Sequence, residues 1–446
     1  MTSTTTKSLP LIRSEITFED AVESDENILQ ELSYPADRLA FCVYLLDHQK
    51  EIEAIVSHHL RLSKSQSYNF CVPVYIDNWS KRVLIRFPLP YKIGETRFPG
   101  NADEKLRCEA ATFTWIQENC PDVPIRFLWG FGFSDGQSFS ALSTAPPYLR
   151  WVEYFRRKLL SFLGRPVPCQ YIGHRNPRPL KTGYLFMDYI DDSKMLIESW
   201  EELRHDQTRR ANLFRGLSRI MLSFARVPLP RVLSLSNRPL TLRLHALENE
   251  GVPTNIDRDL TYPTVEPFRR RPFLFTLTDL HPSNIFADTD WNIKCLIDLE
   301  WACSLPMEME CPPHWLSNRG VDQLTDEYLT EFNELREEFM SAFESEERLL
   351  CPADEQALLH TSAMKRGCEN GNFWYFSALE STRGLYNIFN QHMRPMFVSS
   401  NDTEAETFDR VLSNYWSPKA AKTVAAKLKD KETYKSQLLE VFEAAL

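Results

Sequence analysis

The sequence predicts an α+β protein in which several short strands precede a mainly helical C-terminal part. Two observations favour this class. Apolar residues alternate at strand spacing in short segments between residues 70 and 190, and they recur at helical spacing over most of the chain after residue 320. A third observation is a hairpin-like stretch over residues 273–301, where polar turns separate apolar segments. The polar residues of this stretch are the strongest candidates for a functional site.

The composition is that of an ordinary globular protein. The 446 residues are 43% hydrophobic and 25% charged, and the length favours two or three domains. The net charge of -10 lacks the basic excess typical of nucleic-acid binding, so we expect no nucleic-acid partner. The chain starts without an apolar leader, and no run of about 18 apolar residues occurs. We therefore expect no membrane partner and a cytoplasmic location.

The first 60 residues predict a lead-in followed by a helix. Residues 1–34 are polar and mixed in charge, which is typical of a flexible lead-in. From Ala36 to Leu60 the apolar residues recur at helical spacing, and this pattern predicts one amphipathic helix. The strand-like segment 70–76 comes next.

An ion pair is predicted between the following strand, residues 82–87, and the helix after it. Alternation places Arg86 on the strand face opposite to the main apolar face. The helix is predicted to begin at Asn101, with Glu104 as its capping-box partner. Glu109 falls inside the apolar stripe of this helix, where a carboxylate needs a partner. Arg86 is the candidate partner, and an unpaired glutamate at the rim of the stripe is the alternative.

The remaining helices and strands are predicted from the spacing of apolar residues. An insertion is predicted after the strands at 138–142, with an amphipathic helix and a proline-rich loop. Strands are expected at 127–133, 138–142 and 184–190, the inserted helix at 148–162, its loop at 165–179, and helices at 201–225 and 322–343 and over long parts of 354–394 and 403–446.

The hairpin-like stretch is predicted to bring three polar side chains to one end. Asp279 and Asn284 precede its first short strand, 285–287, and Asp298 follows its last strand. Antiparallel strands of similar length bring their outer ends together. We therefore expect a cluster of oxygen atoms there, and loop caps or Asx turns are the alternative role for these residues.

Such a cluster suits a magnesium ion. Mg²⁺ takes oxygen ligands and usually needs only one or two carboxylates together with substrate phosphates. Asn284 and Asp298 are the candidate metal ligands, and Asp279 is the candidate group that accepts or orients the proton of an attacking hydroxyl. His281 is expected to support the loop by hydrogen bonding.

The motif resembles a known family. The pattern D-x-x-x-x-N from Asp279 to Asn284, with H-P-S-N inside it and I-D at Asp298, resembles the aminoglycoside phosphotransferase and choline kinase-like family, and most of all its large subgroup in filamentous fungi. These proteins are relatives of the protein kinases. The resemblance implies a bilobal protein-kinase-like fold. Residues 35–190 would hold the N-terminal helix and a small antiparallel β lobe with an insertion, and residues 191–446 a larger helical lobe carrying the catalytic hairpin.

The resemblance also implies a function. It implies ATP and Mg²⁺ as cofactors, with transfer of the γ-phosphate to a hydroxyl of a small-molecule substrate. Asp279 would be catalytic, and Asn284 and Asp298 would hold the metal. The implied nucleotide-binding residues are Arg86 paired with Glu109, Met187 and Tyr189 beside the adenine, and Ser67 in the turn that covers the phosphates.

The sequence departs from the family pattern at three points. The stretch around Ser67 has no glycine, although the family covers the phosphates with a glycine-containing turn. A long helix expected between Pro263 and Phe273 is replaced by nine residues, and Leu277 stands where the catalytic loop usually has histidine. These departures favour an alternative, a kinase-like protein that binds a ligand or partner without catalysis. A metal-dependent phosphoesterase built on Asp279 and His281 is a third possibility.

Overall fold

The protein is mixed α+β, as the sequence predicts. Its computed structural model describes residues 8–24, 26–61, 73–75, 82–176, 180–191, 193–229, 241–260, 273–350, 358–381, 384–398, 402–415 and 417–444. Within this part of the chain, no helix has the length and apolar character that crossing a membrane would demand.

The strands of the described residues are short and antiparallel. They are β1 (Ser8–Pro10), β2 (Glu15–Thr17), β3 (Pro73–Tyr75), β4 (Arg82–Arg86), β5 (Leu128–Gly132), β6 (Gln137–Ala141), β7 (Tyr171–Arg175), β8 (Tyr184–Asp188), β9 (Lys194–Met195), β10 (Phe273–Leu277), β11 (Ile285–Ala287), β12 (Ile293–Leu296) and β13 (Ala302–Pro306).

The helices are concentrated at the two ends and in the C-terminal half. They are α1 (Phe18–Glu23), α2 (Ile28–Glu31), α3 (Tyr34–Asp47), α4 (Gln49–Leu60), α5 (Asn101–Asn119), α6 (Pro147–Phe162), α7 (Ile197–Leu203), α8 (Gln207–Ala225), α9 (Leu242–Asn249), α10 (Asp326–Leu350), α11 (Leu359–Glu369), α12 (Asn372–Glu380), α13 (Leu385–Ile388), α14 (Asp402–Ser413) and α15 (Ala420–Ala444).

Six strands form the largest sheet, in the order β3-β4-β8-β5-β6-β7. The alternation predicted for β4 is confirmed, since Val83 and Ile85 are buried while Arg86 is only partly covered. Arg86 lies opposite Leu185 of β8, near the centre of the sheet. Strand β7 was not expected, because it lies in the stretch assigned to a proline-rich loop. Its backbone completes the edge of the sheet by pairing with β6 over all five residues.

Helix α5 packs on this sheet and carries the predicted apolar stripe. Leu106 and Phe113 are buried in the main core, which also takes in strands β5 and β8. The expected capping box is wrong. The N-cap is Gly100, with φ +97°, and the Asn101 side chain instead donates to the Ile93 carbonyl at 2.9 Å. The sequence signal failed because the asparagine is taken by a partner eight residues earlier.

The single helix expected over residues 36–60 is two helices, α3 and α4. The chain breaks at His48, whose φ and ψ of -107° and 23° are not helical. The His48 ring nitrogen Nδ1 lies 2.8 Å from the Tyr44 carbonyl, one turn back. This local side-chain contact competes with helix continuation.

Regular structure was not expected before residue 35, yet β1, β2, α1 and α2 lie there. Ala21 and Ile28 form a small buried cluster with Leu438 and Phe442 of α15. Tyr434 of α15 also accepts a hydrogen bond at 2.8 Å from the backbone of Ile28. The segment is ordered by contacts with the far end of the chain, which a local pattern cannot reveal.

The C-terminal half surrounds the predicted hairpin. Strands β11 and β12 pair as expected, and β9 extends them to a three-stranded sheet. Strand β10 pairs with β13, which the sequence did not reveal. Helices α8 and α10 pack together through Phe214 and Phe339, whose ring centres are 5.6 Å apart. The hairpin is thus part of a small sheet, and its strand β12 contacts helix α8.

We predict that Trp291→Ala strongly destabilises the protein. Trp291 lies in the turn between β11 and β12, is 1% exposed, stacks on Trp200 of α7 at 5.2 Å and donates to the Ser199 hydroxyl at 3.0 Å. Removing a buried tryptophan costs about 3–5 kcal/mol. Chemical denaturation measures the effect, with Trp151→Ala on the exposed face of α6 as the control. Equal midpoints for the two variants would contradict this role.

Candidate functional site

Hydrogen bonds between Asn284 and Asp279 stabilise the loop between β10 and β11. The Asn284 amide nitrogen Nδ2 donates to the Asp279 carbonyl at 2.8 Å and lies 3.3 Å from its carboxylate oxygen Oδ2. Asn284 is 4% exposed. Because Nδ2 is engaged with Asp279, Oδ1 is the amide atom that could face a cation.

His281 supports this loop, as predicted. Its ring nitrogen Nδ1 accepts a hydrogen bond from the Ser283 backbone at 3.3 Å, and Nε2 lies 3.6 Å from the Asp279 carboxylate. Beneath the loop, the Trp315 indole donates to the Leu280 carbonyl at 2.7 Å. These contacts fix the backbone that follows Asp279.

The two ends of the hairpin meet through their backbones, as antiparallel pairing predicts. The Ile297 backbone N-H donates to the Asn284 carbonyl at 3.0 Å. The next residue, Asp298, has φ +56°, a left-handed conformation that Asp tolerates better than most residues. This turn of the backbone lets the Asp298 carboxylate contact the guanidinium of Arg86.

Arg86 contacts carboxylates from two directions. Its Nη1 atom is 2.8 Å from Glu109 on α5, which confirms the predicted ion pair. Its Nη2 atom pairs with Asp298 and lies 3.6 Å from Glu300. Lys105, one turn before Glu109 on α5, pairs with Glu300 at 2.9 Å. Three carboxylates and two cations therefore share one compact cluster.

Lys105 and Glu300 were not predicted to belong to this cluster, although the position of each residue in the sequence indicates it. Lys105 stands four positions before Glu109 and so shares its helix face, and Glu300 follows Asp298 by two positions. Glu300 is buried in the ion-pair cluster, whereas Trp315 lines a second cavity of about 190 Å³.

The carboxyl groups of the cluster differ in pKa. Burial raises the pKa of Glu109 to about 8, more than attraction to Arg86 lowers it, and the nearby Glu300 and Asp298 charges add to the rise. Burial likewise raises the pKa of Asp298 against the pull of Arg86. For Glu300 the balance is reversed, because Lys105 and Arg86 outweigh burial and lower its pKa to about 2. The cluster thus has affinity for one additional positive charge.

A cavity of about 270 Å³ opens beside this cluster. Arg86, Glu109 and Asp298 line one end, and Met187 and Tyr189 line it as well. The apolar part of its wall is formed by Leu84, Phe113, Met187, Phe286 and Leu296. Five of the residues selected from the sequence thus share one cavity.

The backbone near Met187 is less available than the resemblance implies. The Asp188 N-H donates to the Phe127 carbonyl at 3.0 Å, and the Tyr189 N-H donates to the Arg82 carbonyl at 3.1 Å. Both groups are used inside the sheet, and Arg82 also stacks over the Tyr189 ring at 4.3 Å. A ligand in the cavity would meet the Met187 and Tyr189 side chains rather than these two N-H groups.

Ser67 lies outside the described residues, so its predicted place beside the phosphates stays a prediction. Among the described residues, no group of three His, Cys, Asp or Glu side chains is placed to hold a metal ion. The donors near the hairpin are instead two carboxylates, Asp279 and Asp298, and one amide, Asn284. This mixture fits Mg²⁺ when phosphates supply the remaining ligands.

Comparison of the chain with known protein families gives no match, and comparison with characterised proteins gives none.

We predict a pH-dependent contribution of Glu109 to stability. Its pKa is about 8 in the folded protein and close to 4.5 when unfolded, so the folded state binds an extra proton between these values. Stability then falls as the pH rises from 5 to 8, by up to about 1.4 kcal/mol per pH unit. In Glu109→Gln this slope should be smaller.

The slope, rather than the absolute stability, is the relevant quantity, because the substitution of Glu109 also weakens the contact with Arg86. Urea denaturation at pH 5, 6, 7 and 8 measures it, with the exposed Glu198→Gln as the control. Parallel pH curves for wild type and Glu109→Gln would contradict the raised pKa.

Proposed function

We propose that the protein is an ATP- and Mg²⁺-dependent phosphotransferase with a bilobal, protein-kinase-like arrangement, which moves the γ-phosphate to a hydroxyl of a small molecule. The observation that carries this proposal is the position of Arg86. It joins Glu109 on α5 to Asp298 at the end of the hairpin, beside a cavity. A cytoplasmic location remains part of the proposal.

The order of elements supports the bilobal arrangement. The six-stranded antiparallel sheet and α5 come first in the chain, and the hairpin and most helices follow. The proposed boundary lies near residue 190, just after β8. The cavity lies where the two parts meet, because its lining includes Leu84 and Met187 from the sheet and Phe286 and Leu296 from the hairpin.

The cavity has the character expected of a nucleotide site. Its apolar wall suits a flat purine ring, while Arg86 at its polar end suits a phosphate, which a guanidinium can bind with two parallel hydrogen bonds. Arg86 is 31% exposed at the side chain, and its Nη1 and Nη2 atoms contact Glu109 and Asp298, so a phosphate would have to share or replace one of these contacts.

Asn284 and Asp298 would hold the magnesium ion, which neutralises charge on the transferring phosphate when bound. Asp279 would act on the acceptor. Its carboxylate is fixed by Asn284 and lies near His281, so it can take the proton of the acceptor hydroxyl as the new O-P bond forms and the bond to ADP breaks.

A kinase-like protein that binds without catalysis is the second candidate. Three observations favour it. Asp298 is already paired with Arg86, and the Asp188 and Tyr189 N-H groups are committed to the sheet. The stretch around Ser67 also lacks the family's glycine. Such a protein would bind nucleotide or another ligand in the cavity and release no product.

We predict that the protein releases ADP from ATP in the presence of Mg²⁺, with water as the acceptor when no other is added. Asp279→Asn and Asp298→Asn should lower this rate at least 100-fold, because one removes the proton acceptor and the other a metal ligand. A coupled ADP assay measures the rates, and EDTA should abolish them in the wild type.

Asp290→Asn provides the control, since this exposed residue lies in the turn at the opposite end of the same hairpin. The proposal fails if the wild type neither binds Mg-ATP in calorimetry nor releases ADP. Binding of Mg-ATP without release, across a panel of hydroxylated small molecules, would favour the second candidate.

A further inference from the structure

Helix α6 turns a wide apolar face toward solvent. At 100° per residue, seven apolar side chains occupy one continuous sector of about 120°, and each has more than half of its surface exposed. They are Tyr148, Trp151, Val152, Phe155, Leu159, Phe162 and Leu163, with Phe162 at 87%. The rings of Trp151 and Phe155 stack at 5.9 Å. A continuous exposed apolar patch of this kind marks an interaction surface.

Basic residues border this sector. On the helical wheel Lys158 flanks one edge and Arg156 the other, and both are exposed, although Arg156 also pairs with Glu153 at 3.2 Å. Residues 147–165 contain five Lys and Arg residues and a single acidic residue, Glu153, in a chain whose net charge is -10. The helix is therefore a local basic and apolar element on an acidic protein.

The outward direction of the apolar face is fixed by contacts on the other side of α6. Arg157 pairs with Glu118 of α5 at 3.3 Å. Leu149 and Leu160, on the same side as Arg157, are half-buried. Helix α6 thus contacts the rest of the protein through Arg157 and these two leucines, and its aromatic side chains face solvent.

We propose that α6 is a membrane-surface anchor, which lies in the interface of a bilayer containing anionic lipids. Helices that bind this way carry Trp, Phe and Leu on one face and Lys or Arg on the other, with the apolar face inserted among the headgroups. The long stems of Lys158 and Arg156 can follow the apolar surface while their charges reach lipid phosphates. The anchor is a surface contact without a membrane-spanning helix, so it would replace the expectation of no membrane partner, which rested on the lack of long apolar runs.

The basic residues of α6 favour an anionic bilayer over a second copy of the chain as the partner of its apolar face. Antiparallel pairing of two α6 helices through their apolar faces would place the basic borders of one helix next to those of the other, and like charges at that distance repel. An anionic lipid surface instead complements both borders at once. The proposal is independent of the phosphotransferase proposal, since none of the residues of that site lies on α6.

The test uses the full-length protein and sedimentation with vesicles. Phosphatidylcholine vesicles with 30% phosphatidylserine are compared with pure phosphatidylcholine vesicles, at about 0.1 and 0.5 M salt. We expect binding to the anionic vesicles, at least tenfold weaker binding to the neutral ones, and weaker binding at high salt because the screening length shortens.

Phe155→Ser with Phe162→Ser should reduce vesicle binding at least tenfold, and Arg156→Glu with Lys158→Glu should remove the preference for anionic lipid. Phe397→Ser is the matched control, since Phe397 is 79% exposed but lies far along the chain from α6. Folding of each variant is checked by circular dichroism.

Two results would overturn the proposal. One is vesicle binding that is absent in the wild type or unchanged in the two α6 variants. The other is a dimer in light scattering that dissociates in Phe155→Ser with Phe162→Ser, which would assign the apolar face to a second copy.

Discussion

The site depends on the contacts that Arg86 makes with two carboxylates from different parts of the chain. Glu109 comes from α5 and Asp298 from the end of the hairpin, 189 positions later. One guanidinium therefore joins the large sheet, the helix packed on it and the hairpin. Glu109 is buried, and a buried charge left without its partner is costly, so its contact with Arg86 is favoured. The contact of Arg86 with Asp298 then favours the observed position of the hairpin relative to the sheet.

The same cluster explains how a cation could be favoured at the hairpin. Glu109, Asp298 and Glu300 outnumber Arg86 and Lys105, and burial makes the surplus negative charge costly. A proton on Glu109 relieves part of this cost. A magnesium ion with its nucleotide would change this balance, because Asp298 could then direct an oxygen to the metal. If the hairpin binds such an ion, the protonation of Glu109 would be linked to its occupation.

Much of this site could be predicted from the sequence because its information is local. Asp279 and Asn284 are five residues apart in one loop, and the strand alternation that places Arg86 covers only five residues. Predictions failed where a distant segment decides the structure. Ala21 and Ile28 are ordered by α15, β13 pairs with β10 across the hairpin, and Asn101 bonds to Ile93 instead of capping its helix. Spacing along the chain contains no information about such partners.

The most direct test of the central claim is calorimetry of ATP binding with and without Mg²⁺, for the wild type and for Arg86→Gln. If Arg86 links a nucleotide site to the metal-binding end of the hairpin, the wild type binds ATP more tightly with Mg²⁺. The variant should then lose at least tenfold in affinity and most of the magnesium effect. Equal binding by the two proteins, or no nucleotide binding by the wild type, would contradict the account.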